Sequence, residues 1–89
     1  MRRLEMSAAF AAVLKKYRKA KRLSQEALAE KADLHPTYIG LMERSLRNPS
    51  LNVAQSLADA LGVSLSELVR QIRHRSDRDV QRARHVEGG

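Results

Sequence analysis

No cysteine occurs in the 89 residues, so the chain can build neither a disulfide framework nor a thiolate metal site, which agrees with a reducing, cytoplasmic setting. Its three histidines, His35, His74 and His85, have no companion cysteines and no short ligand spacing, so no metal site is expected. A long hydrophobic run is missing as well. The start, MRRLEMSAAFAAVLKK, is basic and then apolar but continues amphipathically, which argues against a secretory signal. No segment approaches membrane-spanning length. Nucleophile motifs, a glycine-rich phosphate loop and a carboxylate pair in a plausible pocket are absent too, so the sequence reads as no enzyme and no cofactor is expected. Nor is a small-molecule ligand.

What is there is short and basic. A chain of this length suffices for one domain that buries roughly 60 to 65% of its unfolded surface around one small core. The net charge of +7 is spread unevenly. Residues 1–23 carry eight Lys or Arg against Glu5, whereas residues 24–44 carry two basic and four acidic groups; residues 45–73 and 74–89 each contribute +1. A basic helix beside a nearly neutral one suits attraction to a nucleic-acid backbone in one place and base contact in another, with a solvated charged face as the plain alternative.

The stretch Ser24 to Arg44, SQEALAEKADLHPTYIGLMER, carries most of the information. Ser24 is placed to cap a helix on which Leu28, Ala29 and Ala32 share one face. Ala29 is small enough for two helices to cross closely there. Asp33 stands where such turns often carry Gly, and its short polar side chain tolerates a left-handed backbone, leaving Leu34 to plug the turn. Pro36 restricts His35 to an extended conformation and fits the first helical position, which makes His35 the N-cap of the next helix. Stepping 100° per residue puts Ile39 and Met42 on one side with Glu43 flanking them, and Thr37, Gly40, Leu41 and Arg44 on the other.

Around this pair, a first helix is expected from near Ser7, with Phe10, Val13, Leu14 and Tyr17 as its apolar stripe and Lys15, Lys16 and Lys19 on its polar side. SLRNPS supplies turn residues before Ser50 caps a fourth helix running to about Leu61, whose inward stripe is Val53, Leu57, Ala58 and Leu61. Gly62 suits the left-handed position after it. Ser64 and Glu67 make a capping box for a fifth helix, with Val63 and Leu68 as its staple. The domain is expected to span residues 1–73, and residues 74–89, charged and closed by two glycines, to form a frayed helix or a disordered tail.

In this order, SQEALA, the Tyr-Ile and Glu-Arg pairs of YIGLMER, RNPSL and ALGVSLSEL resemble the Cro/CI-type, or XRE, helix-turn-helix family over about residues 10–70. Within that family HPTYIGLMERSLRNPS is most similar to the controller proteins of bacterial restriction-modification systems. The resemblance implies an all-α, compact, five-helix, lambda-repressor-like domain with the helix-turn-helix at helices 2 and 3. It implies a sequence-specific, homodimeric transcriptional regulator that sets its recognition helix in the major groove of a near-palindromic site on double-stranded DNA.

Carried over by position, the family's roles give a base-reading set of Thr37, Leu41, Arg44 and Arg47 and a backbone-gripping set of Ser24, Gln25, Tyr38 and Asn48. Arg44 and Arg47 also match positions that hold backbone oxygens, and Gln25 sits at a helix N-terminus whose partial charge favours a phosphate. Arg18 and Glu43 match an ion pair that orients the recognition helix. Pro36 and Leu41 depart from the pattern, since both positions commonly bear long readers; Leu41 is left either to touch a thymine methyl or to be an isolated surface leucine. Direct readout should therefore be thin, with groove shape contributing much of the discrimination. Gly40, which costs about 1 kcal/mol relative to Ala inside a helix, points to a close approach to DNA or to a neighbouring helix. Leu65, Val69 and Ile72 recur at i, i+4 and i+7 as a candidate dimer interface, with packing inside the monomer as the alternative. A rival reading from another class is a protein-interaction or antitoxin-like adaptor, for which exposed Gly40 and Leu41 would serve.

Overall fold

Capping side chains set the start of four helices. Ser24 Oγ accepts from the Ala27 N–H at 3.0 Å, Ser50 Oγ from Val53 at 3.1 Å, and Ser64 Oγ from Glu67 at 3.0 Å. His35 uses its ring, with Nδ1 accepting the Thr37 N–H at 3.1 Å and Pro36 occupying the first turn. Each cap satisfies a donor that the helix itself leaves orphaned. In this computed structural model, which describes the backbone of residues 3–88 and the side chains of residues 6–78, the helices are α1 (Arg3–Ala20), α2 (Gln25–Ala32), α3 (Pro36–Glu43), α4 (Leu51–Leu61) and α5 (Leu65–Gly88). No strand occurs among the described residues.

Left-handed residues end two of them. Asp33 (φ 58°) closes α2, its N–H returning to the Glu30 carbonyl while that of Leu34 returns to Ala29. Gly62 (φ 74°) does the same for α4, with Val63 N–H bonded to the Ala58 carbonyl at 3.0 Å. Two further left-handed residues, Arg22 (φ 58°) and Ser45 (φ 61°), turn the chain after α1 and α3.

The stripes converge on one core. Leu14, Leu28, Ile39, Met42, Leu57, Leu61 and Leu68 are fully buried, with Phe10 and Val13 nearly so. Burying one such side chain contributes about 1.5–3 kcal/mol. Ala29 is also fully buried, in the pair of helices that the Asp33 turn joins. The long α5 packs mainly along α1, and α2 packs on α3 and α4.

Three details differ from the sequence reading. First, α1 begins at Arg3 rather than near Ser7. Second, α5 crosses the boundary drawn at Arg73 without a break, and Ser76 beyond it is fully buried; the side chains of Asp79–Gly89 lie outside the described residues. Third, only half of the capping box forms, because the Glu67 carboxylate accepts from Arg70 and Gln71 further along α5. Ile72 is 8% exposed and packs in the core, and it also lines a groove together with Leu65 and Val69.

Candidate nucleic-acid interface

One polar cluster fixes how α3 sits. Arg18 on α1 grips Glu43 with both arms of its guanidinium, Nε donating to Oε2 at 2.6 Å and Nη2 to Oε1 at 3.0 Å, while Nη1 donates to the Leu23 carbonyl at 2.8 Å. Gln25 Nε2, at the start of α2, adds a third bond to Glu43 Oε1 at 3.2 Å. The two charged side chains are 11% and 4% exposed, so this bidentate pair is screened little by water and ties α1, the loop after it, α2 and the end of α3 together. Burial pushes the Glu43 carboxyl up, but the hydrogen bonds from Arg18 and Gln25 and the charges of Arg18 and Lys15 outweigh it and hold the group below its ordinary value. The bond to Glu43 likewise raises Arg18, against the opposing effect of burial.

With its inner side fixed by Ile39 and Met42, both fully buried, α3 turns Thr37 and Arg44 to solvent. Leu41 and Gly40 are half-buried. A Cβ added at Gly40 would lie 3.5 Å from Gln25 Oε1, so the neighbour that approaches this glycine is a side chain of α2. Arg44 Nε donates back to the Gly40 carbonyl at 3.2 Å.

After α3, the left-handed Ser45 and a bond from Leu46 N–H to the Leu41 carbonyl at 2.8 Å swing the chain so that Arg47 and Asn48 are exposed beside the helix. Three contacts hold this loop. The Arg47 guanidinium lies 5.8 Å from the Tyr38 ring centroid, Tyr38 Oη is 3.5 Å from the Asn48 carbonyl, and Ser7 Oγ donates to Asn48 Oδ1 at 2.6 Å. Asn48 thus uses its acceptors inward and keeps its amide N–H groups for an external oxygen. Ser24, whose Oγ accepts as a cap, keeps a hydroxyl proton to donate.

The geometry therefore gathers Thr37, Arg44, Arg47 and Asn48 on α3 and the loop after it, with Tyr38 bracing Arg47. Gln25 is the partial exception, since one amide N–H is committed to Glu43. Neither that bond nor the Ser7–Asn48 bond has a local signal, their partners lying 18 and 41 residues apart. Leu65 is half-buried and Val69 is 41% exposed; with Leu51, 80% exposed at the start of α4, they line an apolar groove of about 230 Å³ that also includes Met6, Pro49 and Ala54. No helix among the described residues is long and apolar enough to cross a membrane.

Comparison with known proteins agrees with this geometry. A family model described as "Helix-turn-helix" matches residues 14–68. The chain is 43% identical over 56 residues to an immunity repressor protein of Bacillus phage phi105, a match that covers 63% of this chain and 39% of the repressor. Among solved structures, the restriction-modification controller protein C.AhdI from Aeromonas hydrophila superposes with a TM-score of 0.68 at 42% identity, covering 70% of this chain and 94% of that one. The clp gene regulator ClgR from Corynebacterium glutamicum shares the fold, with a TM-score of 0.86 at 22% identity over 92% of this chain and 87% of its own. A helix anchored from behind by Ile39, Met42 and the Arg18–Glu43 pair, in a chain matched across this span, belongs to the Cro/CI-type (XRE) helix-turn-helix family of non-enzymatic, DNA-binding transcriptional regulators.

Proposed function

We propose that the chain regulates transcription in the cytoplasm by binding, as a homodimer, a near-palindromic operator in double-stranded DNA. In this reading α3 enters the major groove, Thr37, Leu41, Arg44 and Arg47 meet base edges, and Ser24, Gln25, Tyr38 and Asn48 hold phosphates on either side. The observation that carries it is the two-sidedness of α3: Ile39 and Met42 fully buried, Thr37 and Arg44 exposed. A helix held this way offers one polar face of the width a major groove admits. Similarity to a restriction-modification controller protein supports the regulatory role.

The groove lined by Leu51, Leu65 and Val69 supports self-association through α4 and α5. A two-fold arrangement would set two copies of α3 about 34 Å apart on one side of the duplex. Leu41 is the one base-facing residue without a hydrogen-bonding group, so recognition depends on few direct contacts and on groove shape. The adaptor reading rests on Gly40 and Leu41 lying open. Both are half-buried, and Gly40 faces Gln25.

Selection of bound duplexes from a random pool tests the proposal. The expected product is a site with two related, inverted half-sites whose centres lie about one helical turn apart. A pool that remains unenriched, or that yields a single asymmetric half-site, contradicts it.

A further inference from the structure

Ahead of the helix-turn-helix segment, residues 14–68, one side chain of α1 reaches the loop that follows α3. Ser7 donates its hydroxyl proton to Asn48 Oδ1 at 2.6 Å, across 41 residues of sequence. The backbone is held on both sides of that bond. Two and three residues further along α1, Ala9 is fully buried and Phe10 is 6% exposed, which fixes the turn that carries Ser7. On the loop, Pro49 disfavours helical backbone at Asn48, and Tyr38 Oη lies 3.5 Å from the Asn48 carbonyl. What remains open is the amide of the exposed Asn48 side chain, whose accepting oxygen and donating nitrogen exchange places on a half-turn. Ser7 decides between the two.

We propose that Ser7 is a positioning residue for DNA binding: by holding Asn48 Oδ1 it turns the amide N–H groups outward, toward a backbone phosphate. The inference rests on the DNA reading of Asn48 and adds to it a residue from outside the helix-turn-helix segment. A phosphate diester offers only acceptor oxygens, so an Asn48 presenting Oδ1 would repel it, whereas one presenting its N–H groups binds it. Without Ser7 both orientations are open to the side chain, and selecting one of them on binding lowers affinity. Ser7 acts through Asn48 rather than on the duplex. Its one hydroxyl proton is committed to Oδ1, which leaves lone pairs that a phosphate does not bind. Because no charge is involved, the salt dependence of binding is untouched.

The test is fluorescence anisotropy with the selected duplex, run on the full chain as wild type, Ser7→Ala, Ser7→Thr, Asn48→Ala and the double variant Ser7→Ala, Asn48→Ala. Ser7→Ala should bind about three- to tenfold more weakly, the range of one neutral hydrogen bond. The loss should be equal across single-base variants of the site, with an unchanged salt slope. Ser7→Thr keeps the hydroxyl and should restore wild-type affinity. In the Asn48→Ala background, Ser7→Ala should cost nothing further, because the group it orients is gone. Alanine favours a helix, so Ser7→Ala should melt close to wild type. Since Ser7 and Asn48 also line the groove given to self-association, its sedimentation should be unchanged as well. Wild-type affinity in Ser7→Ala, an equal loss with and without Asn48, no loss in Asn48→Ala, no rescue by threonine, or a Ser7→Ala chain that sediments as a monomer would each overturn the proposal and leave DNA binding standing. A wild type that binds no duplex removes both.

Discussion

Glu43 is bonded to Arg18 and Gln25, and through Arg18 to the carbonyl of Leu23, so a single carboxylate braces four segments. Glu43→Ala leaves the 9% exposed Arg18 without its partner and should cost about 3–5 kcal/mol in urea unfolding, lowering stability before it changes sequence preference. Equal unfolding midpoints for variant and wild type would remove this role. The pH dependence has a definite sign. The folded-state value of Glu43 is depressed, so its stabilisation is complete above the unfolded value of about 4.3 and is lost as the pH falls through the lower, folded one. Below about pH 4, wild type should therefore lose stability more steeply than Glu43→Gln. Gly40 gives the opposite outcome: an alanine there meets Gln25 at ordinary contact distance and should raise stability by up to about 1 kcal/mol, read as a higher melting temperature. At this scale the caps Ser24, His35 and Ser50 and the left-handed Asp33 and Gly62 were legible, because each acts within three or four residues of itself. Arg22 and Ser45 were not, since neither residue type favours a positive φ and only the surrounding packing imposes it.

Among the elements, α3 carries the function and owes its shape to its neighbours. Arg44→Ala removes an exposed group from its outer face and should cost about 1–3 kcal/mol of DNA binding while relaxing preference at one base position. Asn48→Ala, on the loop, should instead weaken all duplexes alike. A competition assay across single-base variants of the selected site separates the two patterns, and identical profiles would break the division between reading and gripping residues. Apolar periodicity located all five helices because each has an inward stripe. It set the start of α1 near Ser7 and read residues 74–89 as a frayed helix or a disordered tail, whereas α1 begins at Arg3 and α5 runs to Gly88. On α5 the i, i+4, i+7 stripe stays on one face: Leu65, Val69 and Ile72 line the same groove, with Ile72 8% and Val69 41% exposed.

For the molecule as a whole, basic charge is concentrated in residues 1–23 and the reading helix lies in a segment of net −2, so attraction and discrimination reside in different places. Assembly is set by yet another surface. Leu51→Glu with Val69→Glu places charge at two exposed apolar positions and should yield a folded monomer by sedimentation, with affinity for the full operator reduced and affinity for a half-site retained. Unchanged sedimentation would assign dimerisation elsewhere. The five-helix order was readable from local patterning and family resemblance, whereas the Gln25–Glu43 and Ser7–Asn48 bonds required three-dimensional proximity that no local spacing encodes.

The central claim is that the outer side of α3 meets the duplex while its inner side stays packed. Titrating the labelled chain with a selected duplex at low ionic strength, with amide and methyl shifts followed by NMR, tests it most directly. The account predicts the largest changes at Thr37, Leu41, Arg44 and Asn48, with Ile39 and Met42 remaining in their packed environment. Thr37 and Arg44 unmoved while another face responds, or no binding to any duplex, would contradict it.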